Sequence, residues 1–154
     1  MAQHLWLLRH GEAESHDARP DDERRLTERG RGQAASAGRA LAALGIEFQQ
    51  VFTSPKVRAR DTALLACEAL GGEPVDHDAL SAGFEARDAL ELLAAAGDGR
   101  VLVVGHEPDF SQVVHDLTGA RIDLKKGGVA GVRVQGSRGE LIALLRPREL
   151  DRIG

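Results

Sequence analysis

The sequence is poor in cysteine and in long apolar runs, and both absences narrow the class of protein. Cys67 is the only cysteine among 154 residues, which excludes an internal disulfide and a cysteine-cluster metal site. It lies in an alanine- and leucine-rich helical pattern, so we predict a buried thiol in a reducing compartment. No stretch approaches the ~20 apolar residues of a membrane span, and Leu5 to Leu8 is too short for a signal-peptide core. We therefore expect a cytoplasmic protein that does not bind membranes.

An excess of positive charge is also missing. The chain has 20 Lys and Arg against 24 Asp and Glu, a net charge of -4. Without a global basic field, nucleic acid is not expected as a partner. A chain of this length fits one domain with a single core, and it contains no internal repeat, low-complexity tract or linker. We therefore expect one domain over 1–154 with one site.

Short apolar runs alternate with helical patterns along the chain. Strands are predicted at 4–8, 50–53, near Val75, at 101–104, 129–134 and 140–145, with a hairpin turn over 136–139. Helices are predicted at 27–44, from Ser54 to Gly71, at 85–96 and from Asp109 onward. This alternation predicts a three-layer α/β/α sandwich with a mostly parallel central sheet. Ligands are then expected at the C-terminal ends of the strands.

Residues that favour helix starts and loops refine this outline. Thr27 is predicted to cap the first helix, and Asp109 the last. Ser54-Pro55 predicts a capping serine with proline at the first helical position. The densely charged stretch 14–25 contains a proline and is predicted to be an exposed loop.

A polar tripeptide follows the first predicted strand. Arg9 is a permanent cation that can hold two phosphate oxygens at once, and His10 carries an imidazole that can attack phosphorus. Gly11 permits close backbone approach. The end of a buried strand is where an α/β sheet binds its ligand. The pattern therefore favours a phosphate site over a capping histidine beside a surface arginine.

Two more residues are expected at the same edge of the sheet. Arg58 lies in the first turn of the second predicted helix, where the helix dipole disfavours a cation unless an anion is bound nearby. His106 follows the strand at 101–104 and can donate a hydrogen bond to the same anion. The other histidines considered lack such a setting and are interpreted as structural or surface residues: His4, His77 and His115.

These residues belong to three ordered motifs: Leu-Leu-Arg-His-Gly-Glu at 7–12, Ser-Pro-Lys-Val-Arg-Ala-Arg-Asp-Thr at 54–62, and Val-Gly-His at 104–106. Over nearly its whole length the chain resembles the histidine phosphatase superfamily, whose fold is phosphoglycerate-mutase-like. The short chain, Gly-His-Glu-Pro-Asp at 105–109 and Leu-Lys-Lys-Gly-Gly at 124–128 are most similar to its SixA-type phosphohistidine phosphatase branch.

The resemblance implies a reaction and its residues. His10 would be the nucleophile and would become transiently phosphorylated. Arg9, Arg58 and His106 would bind the phosphoryl group and its transition-state charge. No metal and no cofactor are implied, and three potentially cationic groups can supply electrostatically what Mg²⁺ supplies in other phosphoryl transfers. The substrate would be a phosphorylated protein carrying phosphohistidine.

The general acid is not evident from the sequence. Larger relatives carry one in an inserted segment, and no unambiguous carboxylate replaces it here. The candidates are Glu12, Glu85, Glu107 and Asp109, and for each of them the sequence favours a helix cap or a solvated charge over an acid. Histidine leaves as an imidazole with a reference pKa of about 6.5 and can be protonated before it departs, so a missing acid suits phosphohistidine. The short chain leaves little room for a cap domain, and an open pocket can admit a phosphorylated protein.

Three other functions stay open at this point. A small-molecule phosphomonoesterase or mutase would use the same four residues with Glu85 or Glu12 as the acid. A phosphate-binding module would keep the pocket without turnover, although the attacking histidine is intact. A metal-dependent hydrolase would use four ligands: His10, Glu12, His106 and Asp109. The oligomeric state is left undetermined.

Overall fold

The computed structural model describes residues 2–154 as strands and helices in alternation. The strands are β1 (Gln3–Arg9), β2 (Gln50–Thr53), β3 (Val75–Asp76), β4 (Arg100–Gly105), β5 (Val129–Gln135) and β6 (Arg138–Leu145). The helices are α1 (Glu28–Ala43), α2 (Val57–Leu70), α3 (Ala86–Ala96), α4 (Asp109–Thr118) and α5 (Pro147–Ile153). Single 3₁₀ turns lie at Asp21–Glu23 and Asp78–Leu80.

One six-stranded sheet has the order β3-β2-β4-β1-β5-β6. The first four strands in that order are parallel to one another, and β5 and β6 are antiparallel to their neighbours. The predicted mostly parallel sheet is therefore confirmed. The parallel strands end at one edge, so whatever follows β1, β2 and β4 is brought together there.

Side chains of the central strand β1 alternate between two cores, as the period of a strand requires. Leu5 and Leu7 are buried in a cluster with α3 and α4. Trp6 and Leu8 are buried in a second cluster with α1, α2 and α5. The predicted three-layer sandwich is confirmed, and residues 2–154 contain no cap domain over the edge of the sheet. Among those residues no helix is long and apolar enough to cross a membrane.

Two predicted helix starts are wrong. The second helix begins at Val57 with Lys56 at its N-cap, whereas Ser54 lies before it. The Ser54 Oγ accepts at 3.2 Å from the amide of Lys56, which lies before the helix, and shares a hydrogen bond with His106, so it does not reach an amide of the first helical turn. Asp109 is the first residue of α4 rather than its cap, since its carboxylate accepts from the Gly83 amide at 3.0 Å instead.

Other local predictions are confirmed. Thr27 caps α1 by accepting from the Gly30 amide, and Cys67 is buried. The sequence predictions omitted α5, whose Leu150 is fully buried. The stretch 14–25 is largely exposed as predicted, but Arg24 within it is buried.

Candidate active site

Two neighbouring strands each end in a histidine. His10 follows β1 and His106 follows β4, and the His10 amide donates to the Gly105 carbonyl at 3.0 Å. The two imidazole rings are 5.2 Å apart between centroids. Both side chains are buried, each only 7% exposed. Parallel pairing of β1 with β4 thus places the two predicted histidines side by side.

The four residues singled out from the sequence line one cavity of about 460 Å³. They are Arg9, His10, Arg58 and His106. Other charged residues share its wall: Asp21, Arg24, Lys56, Glu107, Asp109 and Lys126. Five Lys or Arg side chains therefore face three carboxylates, so the cavity carries a local positive charge in a chain whose net charge is negative. Such a cavity attracts an anion.

The protonation of His10 follows from its surroundings. Its Nδ1 lies 2.7 Å from the Gly11 carbonyl oxygen, which can only accept, so Nδ1 carries the proton and Nε2 keeps its lone pair. Burial lowers the pKa of His10 to about 4, and the charges of Arg58 and Arg9 act in the same direction. The hydrogen bond to Gly11 opposes this shift. At neutral pH the ring is uncharged, with Nε2 able to act as a nucleophile.

His106 lies in a similarly buried setting. Its Nε2 shares a hydrogen bond of 2.8 Å with the Ser54 hydroxyl. Burial lowers the pKa of His106 to about 3, and repulsion from the protonated form of His10 and from Arg58 acts in the same direction. Its Nδ1 is buried without a hydrogen-bond partner among the described residues. A dianion in the cavity would favour the protonated ring and could accept a hydrogen bond from it.

The two arginines are held by carbonyl groups of the chain. Arg9 donates from Nη1 to the Leu124 carbonyl at 2.9 Å, and Arg58 donates from Nη1 to the Asp21 carbonyl at 2.7 Å. In residues 2–154, the Nε atoms of both arginines are buried and lack an acceptor. A buried donor left unpaired costs about 1–3 kcal/mol. Each guanidinium therefore keeps one buried N–H donor for which the described residues provide no acceptor.

Asp21 is a site residue that the sequence predictions missed. Its carboxylate lies 3.3 Å from Arg58 Nη2 and 3.1 Å from Lys56 Nζ, and it also pairs with Arg24. Burial raises the pKa of the Asp21 carboxyl, but hydrogen bonds from Lys56 and Arg24 and the charge of Arg58 outweigh this and hold the pKa well below its usual range. No periodicity or motif in the loop marks this residue, because its cavity partners Lys56 and Arg58 lie 35 and 37 positions further along the chain.

Gly11, the glycine of the first motif, packs against the backbone of α1. A Cβ on Gly11 would overlap the Gly30 carbonyl oxygen of α1, so the close approach is made to a helix. The Gly11 amide donates to Thr62 Oγ1 at 3.1 Å. Thr62 itself donates to the Arg58 carbonyl at 2.7 Å. The last residue of the second motif thus connects Arg58 to the loop that carries His10.

The first two acid candidates do not line the cavity. Glu12 accepts from the Thr27 hydroxyl at 3.0 Å and faces Arg29 at 3.6 Å. Glu85 is exposed and caps α3. Glu107 and Asp109 do line the cavity. Glu107, however, accepts from the amide and hydroxyl of Ser111, and Asp109 accepts from Gly83 as described above.

The ligand set of a metal-dependent hydrolase is not assembled. Glu12 lies outside the cavity that contains His10, His106 and Asp109. Within the described part of the chain, no group of three or more His, Cys, Asp or Glu side chains is placed to hold a metal ion.

The fold and the residues at the sheet edge where the parallel strands end define the class of protein. It is an α/β protein with a cavity lined by histidine and arginine. The profile of the histidine phosphatase superfamily (branch 1) matches residues 5–82. An uncharacterized protein of Picosynechococcus sp. is 33% identical over 95% of this chain and 98% of its own length. The chain belongs to the histidine phosphatase superfamily, branch 1.

Two further comparisons show its relation to named proteins. The structure of the protein histidine phosphatase SixA complexed with tungstate superposes with a TM-score of 0.87, covering 96% of this chain and 99% of that one at 24% identity. This similarity shows the shared fold. The mitochondrial serine/threonine-protein phosphatase Pgam5 of Drosophila willistoni is 36% identical over 79% of this chain. The matched region spans only 38% of that protein's own length.

Proposed function

We propose that this protein is a metal-independent phosphatase that removes phosphate from phosphohistidine in proteins. The observation that carries the proposal is an uncharged His10, with a free Nε2, buried beside two incompletely satisfied arginines in one positively charged cavity. Tungstate, present in the similar SixA structure, is a tetrahedral oxyanion like phosphate. A cavity with these cations suits such an anion.

The reaction takes place in two steps. Nε2 of His10 attacks phosphorus, the phosphorus–nitrogen bond of the substrate breaks, and the substrate imidazole leaves with a proton. Water then attacks the phosphohistidine formed on His10, releasing inorganic phosphate and restoring the neutral ring. Arg9 and Arg58 stabilise the charge on the phosphoryl oxygens in both steps, and His106 donates to them when protonated.

The state of the cavity carboxylates favours phosphohistidine as the substrate, because its leaving group is an imidazole. Asp21 is held ionised by three cations, so it is a poor proton donor. Glu107 and Asp109 are engaged by amide or hydroxyl donors. An alkoxide leaving group needs a strong general acid, whereas an imidazole with a reference pKa of about 6.5 takes its proton from solvent. The site therefore suits a substrate whose leaving group departs without a general acid from the protein.

A second candidate function is hydrolysis of phosphate monoesters. Two observations favour it: Glu107 lies on the cavity wall, and the similar Pgam5 is named a serine/threonine-protein phosphatase. In this case Glu107 would protonate the leaving oxygen. A phosphate-binding module without turnover is less well supported because the proposed nucleophile is intact and its lone pair is free.

One experiment tests the proposal and its competitors. Hydrolysis of a phosphohistidine protein and of a panel of phosphate monoesters is measured for the wild type and for His10→Ala, with and without EDTA. We expect turnover of phosphohistidine above that of the monoesters, no effect of EDTA, and a loss of about 1,000-fold or more in the variant. ³²P should be trapped on the wild type only. A variant with full activity would disprove the mechanism, and faster monoester turnover would select the second candidate.

A further inference from the structure

A second concave surface adjoins the catalytic cavity. We call it the basic groove; its volume is about 500 Å³. The cations that line it are Arg9, Arg29, Lys125, Lys126, Arg146 and Arg148. Two of them, Arg9 and Lys126, also line the catalytic cavity. The basic groove is therefore continuous with the site of the proposed phosphoryl transfer.

The nearby carboxylates only partly neutralise the groove. Glu12 faces Arg29, Asp123 faces Lys125, and Glu149 faces Arg146 and Arg148. These three carboxylates stand against the six cations of the groove, in a chain whose net charge is -4. Exposed ion pairs of this kind are worth at most about 1 kcal/mol each. A bound anionic group can therefore compete for the same cations.

The lysines of the groove are held in place relative to His10. The Gly127 amide donates to the carbonyls of Arg9 and His10, each at 3.0 Å, and the Arg9 amide donates to the Gly128 carbonyl at 3.1 Å. The segment carrying Lys125 and Lys126 is thus bonded to the residues that carry the catalytic side chains. An anion bound in the groove would lie at a defined position relative to the reacting phosphorus.

We propose that the basic groove binds a carboxylate-rich segment that flanks the phosphorylated residue of a protein substrate. This inference rests on the proposed function and adds a substrate class to it. Six long cationic side chains line the groove, and the described residues place no aromatic ring in it, so these residues offer no stacking surface for nucleic-acid bases. Its continuity with the cavity lets one chain occupy both, with its phosphate at His10 and its acidic flank on the lysines and arginines.

The test compares substrates that reach the groove with one that does not. Two peptides with one phosphohistidine each carry either glutamates or glutamines beside it, and phosphoramidate serves as the small substrate. The variant Lys125→Gln/Arg148→Gln removes two groove cations. The control Arg39→Gln/Arg138→Gln removes the same charge from exposed positions. Arg138 lies at the opposite end of the sheet, where β6 pairs with the last residue of β5.

We expect the wild type to favour the acidic peptide by about fivefold in kcat/KM at low salt, as two exposed ion pairs allow, with the preference falling as salt rises. The groove variant should lose this preference and keep its activity on phosphoramidate, and the control should behave as wild type. Turnover without a preference for the acidic peptide would overturn the groove proposal but not the proposed function. An equal loss of kcat/KM by the groove variant on all three substrates would do the same. A small bisphosphate is included as a fourth substrate, and its turnover above that of both peptides would also overturn the groove proposal. Absence of His10-dependent turnover would overturn the proposed function together with the groove.

Discussion

Thr62 shows how one hydroxyl positions a site without touching the ligand cavity. Its side chain is fully buried and is not part of the cavity wall. It accepts from the Gly11 amide and donates to the Arg58 carbonyl. Because Gly11 also provides the carbonyl that orients His10, Thr62 couples the position of the ring to helix α2.

Replacing this hydroxyl should affect both stability and turnover. Thr62→Val keeps the shape but leaves the buried Gly11 amide unpaired, so we expect a loss of about 1–3 kcal/mol in the free energy of unfolding. We also expect kcat to fall about tenfold with a smaller change in KM, because His10 is displaced rather than removed. Urea unfolding and steady-state kinetics measure the two effects. Thr62→Ser restores the hydroxyl and should recover both; wild-type kcat in the valine variant would refute the positioning role.

At the scale of elements, the approach of α1 to the end of β1 depends on two glycines. A Cβ on Gly30 would overlap the Glu12 carbonyl oxygen, and one on Gly11 would overlap the Gly30 carbonyl oxygen. Neither residue has a positive φ, so space rather than backbone conformation requires glycine. The helix and the loop after β1 meet backbone to backbone, and this contact sets the distance of the His10 loop from α1.

A pair of substitutions on the same helix tests this contact. Gly30→Ala must push α1 away from the loop, and overpacking of this kind costs about 1–3 kcal/mol or more. Gly32→Ala meets nothing within 4 Å and should stabilise the helix by about 0.5–1 kcal/mol. Thermal and urea unfolding of both variants give the comparison. Equal stability of the two would show that the glycine contact does not limit the packing.

At the scale of the whole molecule, the buried histidines couple folding to pH. Burial above all lowers the pKa of His10 to about 4 and that of His106 to about 3. In the unfolded chain both rings bind protons near the reference pKa of about 6.5. Between these values the unfolded state holds more protons, so stability falls as the pH drops from above 6.5 toward 4.

The predicted effect is measurable by unfolding at two pH values. Between about pH 7 and about pH 4.5 the wild type should lose on the order of 2 kcal/mol for each histidine. His10→Asn/His106→Asn should lose correspondingly less stability over the same interval, because it lacks the two rings. The carboxylates that also titrate there are unchanged and account for the loss that remains. Urea unfolding at both pH values gives the two differences. An equal loss in wild type and double variant would mean that the folded-state pKa values are not depressed.

Much of this architecture was predictable because it rests on local patterns. Short apolar runs ending in charge identified the strands, and the order of strands and helices implied a parallel sheet. Its shared edge then predicted that Arg9, His10, Arg58 and His106 would be neighbours. The start of α2 was mispredicted because the hydroxyl of Ser54 binds His106, a partner 52 positions away, instead of capping a helix.

By itself the sequence determined the fold class, the family resemblance and the four side chains around the cavity, since each follows from local patterns and from their order along the chain. Tertiary structure alone decided that Asp21 holds Arg58, that Thr62 supports Gly11, that Glu12 and Glu85 lie outside the cavity, and that two lysines continue it into a basic groove. These contacts join residues tens of positions apart. Only the folded backbone sets their distances, and no local periodicity encodes them.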